Sequence, residues 1–267
     1  MLALIDLYSL NHIIIDIQET WPDDLLDVLN ESKGTLHNFL KEESRIDNEA
    51  IENIKYRIYR PKNRFQQEWD STLVSIGNII SKNMFMGFHA TRLVKVELEE
   101  ILLSGLRLLN IDLLEYKLRI LLNQGLISSV EYRENMLNSQ VEGLGRKNYV
   151  FTFHELSTLR DESGLVRLFR CWGGEFFYYN KEDHKEFSDK FFKIGKATIL
   201  LTSHKYEDVQ RNDIERRIIK NFLNPSRQQG GNDFDNHHSK PITVIGFIDE
   251  DSNFFYELTG YDKWRKY

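Results

Sequence analysis

Met86-Gly87-Phe88-His89-Ala90-Thr91-Arg92-Leu93, followed by Glu99-Glu100-Ile101-Leu102-Leu103-Ser104-Gly105-Leu106-Arg107, is the stretch on which the fold is read. Residues 86–91 read as a short strand leading into a turn. Residues 94–103 read as a helix with Val96, Leu98, Ile101 and Leu102 on its inner face. Ser104-Gly105 ends it, because glycine suits the position just past a helix C-terminus. A strand that ends in an aromatic residue and His89, then a small residue and Thr91, sets an imidazole at the rim of a sheet.

Upstream, Trp21-Pro22-Asp23-Asp24 marks a helix start, with proline and two acids in the first turn. Three helical pieces are predicted. The first carries Leu25, Leu26, Val28 and Leu29 and breaks at Ser32-Lys33-Gly34. The second covers residues 35–41, with Leu36, Phe39 and Leu40, and the third residues 48–58, with Ile51, Ile54 and Ile58 on one stripe. Pro61 ends the pattern. A boundary within residues 61–84 then separates an acidic helical region, 1–84, from a second domain, 85–267. Downstream, helices are expected at 111–124, at 128–141 and through 165–169. Strands are expected at 149–153, 175–179, 197–203, 242–248 and 254–258. Residues 224–240 contain Gly230-Gly231 and almost no apolar side chain, which reads as a mobile loop. Several short strands around few helices give an α+β class rather than a doubly wound sheet.

Composition narrows the function classes. With 267 residues and 41% hydrophobic side chains, the chain can bury a core without disulfides or metals. The single cysteine, Cys171, excludes a disulfide framework and a multi-cysteine zinc site, and it reads as buried and inert. No apolar run approaches the roughly 18 residues of a membrane span. The first apolar stretch has no basic residue before it, so a soluble cytoplasmic protein that avoids membranes is expected. Residues 1–54 hold twelve acidic and three basic side chains, which leaves the remainder mildly basic against a net charge of −6. Lys55, Arg57, Arg60, Lys62 and Arg64 alternate with Tyr56, Tyr59 and Phe65 and no acid. Cations for phosphates beside rings for base stacking suit a single nucleic-acid strand. His237-His238 have no cysteine or acidic cluster at ligand spacing, so they read as solvated and no metal is expected.

The opening stretch resembles the first strand and helix of the ADP-ribosyltransferase superfamily, where an aromatic, His, a small residue and Ser or Thr precede a helix that reaches Ile-Leu and Gly-Leu. Gly145-Arg146-Lys147-Asn148-Tyr149-Val150-Phe151-Thr152-Phe153 is similar to the family's next core strand, with Tyr149 standing at the tyrosine of its His-Tyr-Glu signature. Trp172-Gly173-Gly174-Glu175 resembles the turn that delivers the acid to a strand mouth, and Glu257 is its rival. The chain departs from the family at Ala90, where glycine is usual, and in the helical insert 111–141. The resemblance implies an α+β split sheet with an N-terminal helical region, and an NAD-dependent ADP-ribosyltransferase with NAD as co-substrate. In that reading Glu175 binds the ribose 2′-OH and stabilises the oxocarbenium-like centre. Tyr149 stacks on nicotinamide. His89 holds the adenosine ribose, while Arg92, assisted by Thr91, pairs with the pyrophosphate. Arg160, Arg167 and Arg170 are placed to hold phosphates of NAD or of an acceptor strand. Bacterial members of the superfamily include toxins and anti-phage effectors held by an inhibitory partner. The expectation is therefore an effector that modifies nucleic acid, RNA in preference and mRNA among RNAs, with an antitoxin partner. The alternatives are a protein acceptor, an RNA 2′-phosphotransferase, and a catalytically silent module that docks a partner through its helical front.

Overall fold

The computed structural model describes residues 4–139, 141, 146–174, 190–209, 213–225 and 236–264. The stretch quoted first is a ten-residue strand, Met84–Leu93 (β2), buried on both faces along most of its length. It pairs antiparallel throughout with Lys196–Lys205 (β4), which pairs antiparallel with Thr243–Asp249 (β6). His12–Ile13 (β1) adds in parallel to the free edge of β2, giving the order β1-β2-β4-β6. Val150–Thr152 (β3) and Asn236–His238 (β5) form a second, two-stranded antiparallel sheet. The two sheets meet where Phe88 and Phe153 exchange backbone hydrogen bonds of 2.7 and 2.8 Å.

Eleven α-helices accompany these strands among the described residues. They are Leu4–Ser9 (α1), Asp23–Glu52 (α2), Ile54–Ile58 (α3), Gln66–Ile80 (α4), Lys95–Ser104 (α5), Ile111–Asn123 (α6), Ser129–Leu137 (α7), Glu162–Arg170 (α8), Tyr206–Val209 (α9), Ile214–Leu223 (α10) and Asn253–Thr259 (α11). The class is α+β, as expected. Among the described residues no helix is long and apolar enough to cross a membrane.

Both faces of β2 are covered because different layers claim them. Met86, Phe88 and Ala90 pack with Leu165 and Phe169 of α8 and with Phe254, Phe255 and Leu258 of α11. Phe85 joins a core built from Ile13, Leu25, Leu29, Leu36 and Phe39, from Trp69, Ile76 and Ile80 of α4, and from Ile214 and Ile218 of α10. Residues on both sides of position 84 therefore share one core, and β1 belongs to the main sheet. The expected boundary does not divide the packing into two bodies.

Two local expectations are corrected. The first two N-terminal pieces and the start of the third are one helix, α2, that runs through Gly34 and ends at Glu52, while the rest of the third is the separate helix α3 and its stripe of Ile51, Ile54 and Ile58 is exposed. Leu25, Leu29, Leu36, Phe39 and Ile46 keep to one buried stripe across the glycine, and that burial outweighs the roughly 1 kcal/mol of helix propensity glycine forfeits. Residues 254–258 are helix rather than strand. The Ser252 hydroxyl accepts from the Phe254 N–H at the start, and Gly260, at φ 68°, ends α11. Within 224–240, residues 236–238 are the ordered strand β5. The remainder of that loop from 226 to 235, and the strand expected at 175–179, lie outside the described residues.

Candidate active site

Past the Phe88–Phe153 pair, no further backbone bridge joins β2 to β3 among the described residues. A cleft of about 470 Å³ opens there, lined by His89, Thr91, Arg146, Tyr149, Phe151 and Gly174 among others. Its volume is in the range of small-molecule sites. The His89 side chain spans the gap, its Nδ1 lying 2.8 Å from the Phe151 carbonyl oxygen. A carbonyl only accepts, so Nδ1 carries the hydrogen and Nε2 holds the lone pair. Burial pushes the pKa of His89 down, more than the Phe151 carbonyl raises it, and Lys117 lowers it further. The imidazole is therefore neutral at pH 7, with one acceptor nitrogen.

Tyr149 is held from both sides. Its backbone carbonyl accepts from Leu109 N–H at 3.3 Å, and the preceding Asn148, at φ 64°, donates its own N–H to the Leu109 carbonyl at 2.7 Å. Its ring makes edge contacts with His237 (centroids 5.0 Å apart) and with Phe151 (6.4 Å). His89 and Tyr149 thus line one cleft. Thr91 lines it as well.

Arg92 does not belong to the cleft. Strand alternation turns it to the opposite face of β2. There its Nε donates to the Ile194 carbonyl (2.9 Å), Nη1 to the Phe169 carbonyl (3.0 Å), and Nη2 lies 3.4 Å from Glu250. The expected pyrophosphate ligand is a buried strut between α8, the main sheet and the segment before β4. Replacing it, as Arg92→Met, leaves two buried carbonyls and a carboxylate without their cation. The expected cost is about 3 kcal/mol, read as a drop in the urea midpoint. A midpoint equal to that of the parent chain would show that the strut contributes nothing.

Glu175 lies outside the described residues, but Gly173 and Gly174 just before it line the cleft, both at positive φ (85° and 67°). Their position is fixed by Trp172, which is fully buried and donates its indole N–H to Glu97 Oε2 at 2.8 Å. The same oxygen accepts from the Val94 N–H at 2.9 Å, and Lys117 Nζ stands 3.0 Å from Oε1. Glu97 is only 3% exposed. This Glu97–Lys117–Trp172 anchor escaped the sequence reading. Its one trace was a glutamate three residues after Val94, where the usual Ser or Thr of a capping box is missing.

The rival acid, Glu257, is excluded from the cleft. It sits exposed on α11, whose Phe254, Phe255 and Leu258 face the core. Of the three arginines expected near the site, only Arg167 lines the cleft. Arg160 Nε donates to the Leu258 carbonyl at 3.2 Å, and the Arg170 guanidinium covers the Phe192 ring at 4.2 Å. Lys55, Arg57, Arg60, Lys62 and Arg64 are exposed on α3 and the segment after it, and none lines the cleft. Arg60 is paired with Glu43 and with Asp47, the latter at 2.6 Å, and Arg64 covers the Phe65 ring at 4.8 Å. Cys171 is buried, as expected. His237 is exposed, but His238 is not: it is 8% exposed and packs beside His154 and His204.

Comparison with protein-family models, with curated proteins and with solved structures gave no match for the chain.

Proposed function

We propose that the chain is an NAD-dependent ADP-ribosyltransferase that binds NAD in the cleft between the two sheets and modifies nucleic acid, RNA in preference. The observation that carries this reading is the convergence of His89 and Tyr149, distant in the chain, on one cleft where two sheets diverge. The neutral His89 offers its Nε2 lone pair to a ribose hydroxyl. Tyr149 offers a ring for the nicotinamide, and Arg146 and Arg167 bring positive charge for the phosphates. In the reaction the bond between nicotinamide and the ribose C1′ breaks, nicotinamide leaves with the bonding pair, and C1′ takes an acceptor nucleophile that loses its proton. Glu175 supplies the carboxylate that stabilises the cationic C1′. The anchor on Trp172 fixes the glycines that lead to it. Lys55, Arg57, Lys62 and Arg64 give an acceptor strand a phosphate-binding surface outside the cleft. Such an enzyme acts as an intracellular effector, with an inhibitory partner to restrain it.

Labelled NAD incubated with RNA, DNA and protein in turn tests this. Label is expected on RNA. His89→Ala and Glu175→Ala are each expected to lower transfer by ~10²-fold or more with the fold intact. Expression of the parent chain is expected to be toxic, and either substitution to relieve it. Intact NAD with every acceptor class would overturn the reading, and label on protein alone would overturn the choice of acceptor.

A further inference from the structure

We propose that His154, His204 and His238 form a buried site for one late first-row divalent metal ion of the zinc class, joining the two sheets. The site is separate from the chemistry proposed for the cleft and does not depend on it. His204 comes from β4 of the main sheet, His238 from β5 of the small sheet, and His154 from the segment that follows β3. All three are buried, and one ring nitrogen from each lies within 4.8 Å of the others. The His204 and His238 rings stack at 4.5 Å, and His154 meets His204 edge-on at 4.8 Å.

The Met86 carbonyl orients His154 as the outer shell of a metal site does, while Thr152 and Asn236 contact the His154 Nε2 that an ion would take over. His154 Nδ1 is 2.9 Å from the Met86 carbonyl, so it carries the hydrogen and leaves Nε2 as the donor. Thr152 Oγ1 lies 2.8 Å from His238 Nε2 and 3.2 Å from His154 Nε2, and Thr202 Oγ1 lies 2.7 Å from His204 Nε2. The one hydroxyl hydrogen of Thr152 can satisfy only one of its two imidazoles as an acceptor. Asn236 Nδ2 reaches His154 Nε2 at 3.4 Å. Room for the cluster is made by Gly87, whose absent β-carbon would stand 2.5 Å from both His204 Nε2 and Thr202 Oγ1.

The donor chemistry selects the ion. Three imidazoles, with no carboxylate or thiolate in the cluster among the described residues, suit Zn²⁺, Co²⁺, Ni²⁺ or Cu²⁺ and not Mg²⁺ or Ca²⁺. Metal–nitrogen distances of about 2.0–2.1 Å put tetrahedral donors about 3.3 Å apart, so the rings must close in by about 1.5 Å at most. An ion here ties β5 and the end of β3 to the main sheet, directly behind the wall that carries Tyr149 and Phe151.

The test uses the full, untagged chain stripped with a chelator and titrated with Co²⁺ and then Zn²⁺. One equivalent of Co²⁺ per chain is expected, with ligand-field absorption that Zn²⁺ abolishes, and a higher thermal midpoint with metal. His204→Ala and His238→Ala should each weaken binding by ~10²-fold or more, and His237→Ala, the exposed neighbour, should leave it unchanged. No saturable binding to the parent chain, undiminished binding in His204→Ala, or equal loss in His237→Ala would each overturn the proposal. X-ray absorption of the zinc-loaded parent chain needs no variant to fold: three imidazole nitrogens support the site, and two or fewer overturn it.

Discussion

Acidification from pH 7 to pH 5, with chelator present, is expected to remove about 6 kcal/mol of folding stability and to unfold much of the protein. Three buried imidazoles are the cause. Burial pushes His154 down to about 3, His204 to about 2 and His238 to about 4. At His204 the neighbouring His154, His238 and His12 add to the depression; at His154 the Met86 carbonyl opposes it and His238 adds to it; at His238 Asp208 opposes it and His237 adds to it. In the unfolded chain each titrates near 6.5. The folded-state values lie below the unfolded one, so the unfolded state binds more protons and stability rises with pH. The contribution is fully present above about pH 6.5 and is lost as the pH falls toward the folded values. At pH 5 each group costs about 2 kcal/mol, and a domain holds only about 5–15 kcal/mol in all. Urea midpoints taken at half-unit steps between pH 7 and pH 5 give the slope, which should reach about three protons per chain from the cluster, with His89, also pushed down by burial, adding to it. A flat profile over that window would show that the cluster is already protonated or solvated in the folded state.

The fold was legible where local chemistry and packing agree. The strand and helix around His89 carry their own boundaries, with Gly105 at the end of α5; the expected strand 197–203 falls within β4, and 242–248 overlaps β6 shifted by one residue. Local reasoning failed where a tertiary term outvoted it. Gly34 looks like a break only if the buried stripe on either side is ignored. Residues 254–258 look like a strand from their aromatic content, yet the flanking Ser252 and Gly260 state a helix. Arg92 could have been placed from the sequence: with His89 and Thr91 on one face of a strand, the residue after Thr91 must face the other way. The histidine cluster could not. Its members come from three separate elements, at spacings that no helical or loop pattern links, and only the packing of the small sheet on the large one unites them. Glu97 was hidden for a similar reason, because its partners Lys117 and Trp172 arrive from other parts of the chain.

Gly105→Ala is expected to destabilise the protein by about 4 kcal/mol, whereas Gly34→Ala should stabilise it by about 0.5–1 kcal/mol. Both are glycines in or beside helices, and a helix-propensity scale alone would favour alanine at each. The backbone separates them. Gly105 sits at φ 80° and ψ 178°, a region closed to residues with a side chain. A β-carbon there would stand 2.4 Å from the Ile242 carbonyl oxygen. That oxygen cannot retreat, because it accepts the Leu106 N–H at 2.9 Å while the Ile242 N–H donates to the Leu106 carbonyl at 3.1 Å. This pair of bonds is the only bridge joining the end of α5 to the segment before β6 among the described residues. Relieving the clash therefore means breaking it and letting one wall of the cleft move. At Gly34 nothing lies within 4 Å of the added carbon and the backbone is already helical, so alanine only reduces the freedom of the unfolded chain. Urea denaturation of the two variants side by side decides the matter. Equal and small changes would mean that the Leu106–Ile242 bridge is loose, and that the Gly-Leu pair is there for helix termination alone.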